Sequence, residues 1–433
     1  MKIIKKYSLL LALLLTATTF IQCQKSYEIT EANVSRIIKT LSADDMRGRH
    51  TFSPDIEKAA AFIENEFSTI GLAPLDGLDS YRQTFNVYTL TQEKASLKLN
   101  GKVINSDSYF TLPDSETIEW SAKDVTISKI EENDNFRQLY STLSASKEPT
   151  LVLVNTAHKQ MFSRYHSFFS KASRKTELGS AADIVFVLSN QKVNSLALSV
   201  TNKIDTLQIA NVAAKIEGKR TNEIVLFSAH YDHIGVVAPV NGDSIANGAN
   251  DDASGVAGVI ELARHYKSLD KPERTLLFVA FTGEEVGGYG SKYFSQQLNP
   301  DEIVAMFNIE MIGKPAVEGP NTAWITGFER STFGEILQKS TEGTIYTFYP
   351  DPYPKQNLFY RSDNATLARL GVPAHSISTT PIDVDPDYHQ VSDEFETLDM
   401  SHTTNTIKAI SKAAQGIISG QDTPTRVDVS TID

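Results

Sequence analysis

Five polar segments carry the side chains able to do chemistry in this chain. They are Ser228-Ala229-His230-Tyr231-Asp232-His233, Asn250-Asp251-Asp252-Ala253-Ser254-Gly255, Thr282-Gly283-Glu284-Glu285, Asn308-Ile309-Glu310 and Asp387-Tyr388-His389-Gln390. Singly, each has an ordinary reading. A histidine at the end of an apolar run is more often a hydrogen-bonded structural residue than a ligand. Asp-Asp ahead of a small-residue stretch is what a helix N-terminus favours, and adjacent glutamates are usually a solvated pair. Their coincidence changes the reading. Two of these histidines and four of these carboxylates gathered at one edge of one sheet would bring like charges together, and a cation resolves that repulsion. Imidazole nitrogen with carboxylate oxygen is a donor mix that suits zinc.

Such a gathering needs elements to position it. From about residue 209 the pattern is that of an α/β sheet, with strands predicted at 212–216, 224–229, 276–281, 304–309 and, after Gly371-Val372-Pro373, up to Ser378. Helices are predicted at 253–269, near 291–298 and at about 401–418. Strands alternating with helices imply a mostly parallel sheet covered by helices on both faces, whose site lies at the carboxyl ends of the strands. Gly218-Lys219-Arg220 reads as the turn of an antiparallel pair joining 212–216 to 224–229. Upstream, Ser53-Pro54 opens a helix whose apolar residues Ile56, Ala59, Ala60, Ile63, Phe67 and Ile70 recur at three- and four-residue steps until Gly71. Residues 81–90 read as extended. Between about 95 and 205 the texture changes. Asn100-Gly101 is a hairpin signal, and short strand-like runs at 125–130, 151–154 and 184–188 are separated by polar stretches. The expected organisation is a catalytic domain from 24–94 and 205–425, with 95–204 an inserted, smaller, β-rich and lid-like domain.

In order and spacing, the segments His230-Tyr231-Asp232, Asn250 to Gly255, Gly283-Glu284-Glu285, Asn308-Ile309-Glu310-Met311-Ile312-Gly313 and Tyr388-His389-Gln390 resemble the dinuclear zinc aminopeptidase family that also contains glutamate carboxypeptidase. The resemblance covers about residues 209–395, with weaker echoes at Met46-Arg47-Gly48-Arg49 and in the helix from Pro54. It implies a zinc exopeptidase-like fold and two zinc ions. Asp251 would bridge them, His230 and Glu310 would complete one site, and Glu285 and His389 the other. Glu284 would be the general base that takes a proton from the attacking water, and Asp232 would orient His230 through its second ring nitrogen. Two adjacent glutamates at a strand end point in different directions, so one can bind metal while the other faces the water. Tyr388, beside His389, is a candidate donor to the developing oxyanion.

Two positions depart from the family pattern. Glu310 stands where aspartate is usual, one methylene longer, and Arg361-Ser362-Asp363-Asn364 resembles the family's Ser-Asp-His with asparagine in place of histidine. Asp363 reads equally as a group beside the substrate or as a loop N-cap. His233 reads as a wall residue, while His50, His158, His166, His265, His375 and His402 have no carboxylate cluster beside them in sequence. The function implied is hydrolysis of a peptide's N-terminal residue. Two alternatives are glutaminyl cyclisation, an acyl transfer with a single zinc, and a non-catalytic binding ectodomain. Side-chain preference, and aminopeptidase against carboxypeptidase or dipeptidase action, stay open.

The bulk composition sets the remaining bounds. With 433 residues, 41% of them hydrophobic and 22% charged, the chain has the make-up of a folded globular protein. A net charge of −12 argues against nucleic acid as a partner. Lys2, Lys5 and Lys6 precede an apolar run at 7–21 that reads as an export signal. Cys23, the chain's single cysteine, follows it and resembles the lipidated cysteine of bacterial lipoproteins. The expectation is an exported, periplasmic or cell-envelope protein, touching the membrane only through an N-terminal lipid anchor and lacking the thiols for an internal disulfide. Its oligomeric state is open.

Overall fold

The computed structural model describes residues 26–170 and 172–432; the predicted export signal and Cys23 lie outside the described residues. An 11-stranded sheet forms the backbone of the molecule. Across it the strands run Thr347–Pro350, Thr322–Ile325, Ala374–Ser378, Ile303–Ile309, Arg220–His230, Arg274–Phe281, Leu196–Ile216, Arg82–Leu99 and Lys102–Val103. Thr117–Ser121 adds to Leu196–Ile216, and Ser173–Lys175 to Arg82–Leu99. The central strands, from Ala374–Ser378 to Arg274–Phe281, are parallel. Every residue of Arg274–Phe281 is buried, which is why 276–281 is an unbroken apolar run: a strand covered on both faces has no polar side to show.

The two faces are packed by different helices. Val225 and Phe227, with Phe278 and Phe307, meet Ile37, Ile63, Phe67, Val256, Ile260 and Ile407 from the helices Glu31–Leu41, Ile56–Ile70, Gly255–Lys267 and Met400–Ala413. Leu226, Leu277, Val279 and Met306 point the other way, onto Phe294 of the helix Tyr289–Gln297 and Leu367 of Asn364–Ala368. This is the mostly parallel, doubly covered α/β architecture expected from the sequence. The helix predicted from Ser53-Pro54 starts at Ile56, with the Ser53 hydroxyl accepting from the Asp55 amide at 3.0 Å, and Gly71 ends it at φ 77°. Among the described residues no helix is long and apolar enough to cross a membrane.

One expectation is overturned. Strands 212–216 and 224–229 do not pair with each other; Arg274–Phe281 lies between them, antiparallel to Leu196–Ile216 and parallel to Arg220–His230. Gly218-Lys219-Arg220 is a crossing rather than a hairpin turn. The Lys219 and Arg220 amides bond to the carbonyls of Pro272 and Glu273, and a Cβ at Gly218 would stand 2.3 Å from the Arg274 carbonyl carbon. The strand carrying the apolar run 276–281 takes the slot where both its faces are covered.

A second sheet follows the order Tyr109–Leu112, Ile184–Leu188, Thr150–Val154 and Thr126–Ile130. Two helices, Phe136–Ser144 and Lys159–Phe169, join Phe110, Phe162 and Phe186 in its aromatic core, so this part of the chain is mixed α/β rather than strand-rich alone. Asn100-Gly101 makes the expected hairpin, pairing Leu99 with Lys102. Arg82–Leu99 and Leu196–Ile216, paired from Arg82↔Val212 to Leu99↔Leu196, connect the two parts.

Candidate metal centre and cleft

The parallel register brings the chemistry-bearing strand ends to one edge. His230 closes its strand opposite Phe281, and Glu310 follows Ile309 directly. Asp251 and Asp252 sit in the turn Ala249–Ser254 that feeds the helix Gly255–Lys267. Gly255 is needed there, because a Cβ would come within 2.5 Å of both Asp252 carboxylate oxygens. Those oxygens are committed to backbone, accepting from the amides of Gly255 and Met311 at 3.0 Å and of His230 at 3.3 Å. Asp393 holds the neighbouring backbone, accepting from Asn250 N at 2.8 Å and Asp251 N at 3.0 Å.

Around Asp251 the five candidate ligands meet. Its Oδ1 lies 3.2 Å from His230 Nε2, and its Oδ2 lies 3.2 Å from His389 Nε2. Glu310 Oε1 is 3.3 Å from the same His230 nitrogen, and Glu285 Oε2 is 3.2 Å from the same His389 nitrogen. Two His–carboxylate pairs therefore share one central carboxylate. The longer Glu310 side chain is held by the Ser362 hydroxyl, which donates to Oε2 at 2.7 Å. Asn364, in place of the family's histidine, is turned inward, donating to the Phe359 carbonyl and accepting from Ser376.

Asp232 meets the second ring nitrogen of His230, but by its backbone carbonyl rather than its carboxylate. His230 Nδ1 is 3.0 Å from the main-chain carbonyl of Asp232 and 3.9 Å from its carboxylate. The carboxylate instead accepts from Thr51 Oγ1 at 2.8 Å and from the amides of Glu284 at 3.2 Å and Glu285 at 3.4 Å. Asp232 thus orients His230 by its backbone, and by its side chain fixes the turn that presents both glutamates. The reading of His233 as a wall residue is also corrected. It is fully buried, with Nδ1 2.9 Å from Glu285 Oε1 and 3.7 Å from Asp251 Oδ2. Gly248 makes room for its ring, since a Cβ would stand 2.6 Å from His233 Cγ. A second histidine three residues after His230 is the only local signal for it.

Arg49, in the Met46–Arg49 echo, is a further contributor that local sequence does not reveal. Its buried guanidinium donates to the carbonyls of Leu41, Tyr231, Asn247 and Gly248, stitching the His230 strand end to the Asp251 loop. It also sets a positive charge near Asp393, Asp251 and Asp232.

Glu284 lines the cleft, and no hydrogen bond holds its carboxylate among the described residues. Burial holds that carboxyl well above the usual range, against the opposing pull of His230 and with help from Glu310 and Asp363. Asp363 is buried, neither carboxylate oxygen is within hydrogen-bond geometry of a partner among the described residues, and burial pushes it up to about 7 against a lowering pull from nearby His230 and Ser291. It precedes the helix Asn364–Ala368 without capping it. Burial pulls the His389 imidazole down, but its bonds to Asp251 and Glu285 outweigh this and hold it up at about 10. Tyr388 stacks on His389, ring centroids 4.0 Å apart, and faces the cleft. Trp324, Leu358 and Ile382 supply apolar walls, Arg361 and Ser362 polar ones, to a cavity of about 70 Å³.

Comparison with known proteins points to a peptidase family. Residues 211–414 match Peptidase family M28. A probable zinc metalloprotease of Pyrenophora teres f. teres is 38% identical over 126 residues, 28% of this chain and 26% of that protein. Aminopeptidase YwaD of Bacillus subtilis is 30% identical over 129 residues, 29% of this chain and 26% of its own length. The chain thus spans about a quarter of the length of the curated relatives it matches. Among solved structures, the zinc aminopeptidase BSAP of Bacillus subtilis superposes with a TM-score of 0.54 at 16% identity, over 90% of this chain and 95% of that one. An aminopeptidase from Aneurinibacillus sp. strain AM-1 does so with a TM-score of 0.52 at 20% identity, over 94% and 96%. At these identities the superpositions establish the fold. The stretch that resembles peptidase family M28, residues 211–414, holds all five clustered donors and Glu284.

Proposed function

We propose that the chain is a zinc-dependent exopeptidase of the aminopeptidase type, binding two zinc ions and hydrolysing the N-terminal residue of peptides. The observation that carries this is the shared carboxylate of Asp251, with one imidazole and one further carboxylate on each side. The donor set fits the metal: imidazole nitrogens and carboxylate oxygens converge with no thiolate, as borderline and hard donors do around zinc. Zinc bound there supplies Lewis acidity, lowering the pKa of water and polarising the scissile carbonyl.

The chain's own groups do the rest. Glu284, unbonded and facing the cleft, accepts the proton of the attacking water and passes it to the leaving amine. Asp232 holds the Glu284–Glu285 turn so that one carboxylate faces the cleft while the other meets His389. Tyr388 presents its hydroxyl to the developing oxyanion, and Trp324, Leu358 and Ile382 receive the side chain of the first residue. A full set of five donors disfavours a single-zinc cyclase, and the presence of Glu284 disfavours a non-catalytic ectodomain. The test is a panel of aminoacyl amides and dipeptides, with free and acetylated N-termini, assayed with and without zinc. Zinc-dependent cleavage of the free-amine substrates alone is expected. Equal cleavage of the blocked series would contradict aminopeptidase action, and pyroglutamate from an N-terminal glutamine peptide would favour the cyclase.

We further propose that residues 95–204 form an inserted domain and that Cys23 carries a lipid anchor on an exported protein. The apolar run before Cys23 motivates the anchor. Cys23→Ala is expected to move the protein from the membrane to the soluble fraction. A wild type already soluble would contradict it.

A further inference from the structure

His389 is the odd member of the five. It stands on the long connection between the strand Ala374–Ser378 and the helix Met400–Ala413, which holds no regular structure beyond the short turn Phe395–Thr397. It is 36% exposed where His230 is 1% exposed, and its backbone sits at φ 58°. His230 has its second ring nitrogen held by the Asp232 carbonyl. Among the described residues no group bonds the second ring nitrogen of His389. A histidine ligand is ordinarily oriented through that nitrogen. Something else must place this ring.

Among the described residues Lys314 is the cation that forms ion pairs with the connection. It stands four residues beyond Glu310, on the segment whose Gly313 amide donates to Asn250 Oδ1 and whose Gly313 carbonyl accepts from Asp399 N. Its ammonium lies 2.5 Å from Asp385 Oδ1 and 2.7 Å from Asp387 Oδ2. Asp387 in turn accepts from Ser392 Oγ at 2.6 Å, and its carbonyl accepts from the Gln390 amide. Residues 387–392 are thereby drawn into a loop closed around His389. The lysine is 12% exposed and Asp385 1% exposed, so the pair is shielded from water and its geometry is fixed more firmly than that of a surface ion pair.

We propose that Lys314 is the positioning residue for His389: acting through Asp385 and Asp387, it staples the His389 loop to the Glu310 segment and so sets the affinity of the His389–Glu285 side for metal. This rests on the zinc reading above. Removing the ammonium leaves Asp385 as a buried, uncompensated charge, and the loop must shift to relieve it. The ligands on the His230–Glu310 side, carried by strand ends, do not depend on that loop.

The test is zinc titration of the metal-free full chain against a chromophoric chelator, with thermal unfolding of the metal-free protein run alongside. In Lys314→Met one site is expected to weaken by roughly 10–100-fold, the range for removing a group that supports a ligand, while the other keeps its wild-type affinity. Lys314→Arg, whose guanidinium can span both carboxylates, is expected to restore the weakened site. Should Lys314→Met fail to fold, Asp387→Asn carries the test and is expected to weaken the same single site. Wild-type affinity at both sites in the variant overturns the proposal, as does equal weakening of both in step with a lowered melting temperature. A wild type that takes up no zinc overturns the zinc reading itself, and this inference with it.

Discussion

Glu284→Gln is expected to lower turnover by about 10²–10⁴-fold, the contribution of a general base, while zinc content and KM stay near wild type. Glutamine keeps the shape and hydrogen-bonding capacity of the side chain and removes only its basicity. The structure separates the two adjacent glutamates clearly. The Glu284 carboxylate faces the cleft without a bonded partner among the described residues, whereas both Glu285 oxygens are engaged, Oε1 by His233 at 2.9 Å and Oε2 by His389 at 3.2 Å. Glu285→Gln is therefore expected to lose metal, because a neutral amide is a poorer ligand than a carboxylate. Zinc content and single-turnover rates on the two variants check the assignment. Loss of zinc in Glu284→Gln, with zinc retained in Glu285→Gln, would reverse it.

Removing zinc is expected to abolish activity altogether, and adding it back to restore the rate. Without a cation the cluster neutralises itself with protons: the carboxylates hold His389 up at about 10, so its imidazole carries a proton at neutral pH. Zinc binding must displace that proton. Affinity therefore falls as the pH falls, and zinc uptake in weakly buffered solution releases protons. Glu310→Ala is expected to empty one site and leave the other, since Glu310 meets only the His230 side of Asp251. Glu310→Asp keeps a carboxylate at this position and is expected to be tolerated, at the loss of part of the Ser362 contact.

Much of the fold was legible where burial writes directly into the sequence. The runs 276–281 and 304–309 read as strands because both of their faces are covered, and Gly71 and Asn100-Gly101 mark backbone turns that only such residues take easily. Pairing was less legible. Gly218-Lys219-Arg220 looks locally like a turn, and only the competition of a more apolar strand for the central slot makes it a crossing. The strands Thr322–Ile325 and Thr347–Pro350 are too short to announce themselves, and the helix Glu31–Leu41 is absent from the predicted elements although Ile37, Ile38 and Leu41 fall on one face. At the site, residue types at strand ends pointed to the donors that the fold brings together around Asp251. What they could not show was partnership across the chain. The Asp232 carboxylate turns to amides 52 and 53 residues away, Arg49 bonds carbonyls up to 199 residues on, and His233 reaches Glu285 through the fold alone. Spacing within a segment carries no trace of such contacts.

The central claim is that a zinc-filled cluster around Asp251 drives the hydrolysis. The measurement that tests it most directly is the rate of cleavage of a free-amine aminoacyl anilide as zinc is titrated into the metal-free chain. The rate is expected to start at zero and to reach its plateau at about two equivalents per chain, as for a two-metal site. A full rate before any zinc is added, or a plateau at one equivalent with the second ion without effect, would contradict the account.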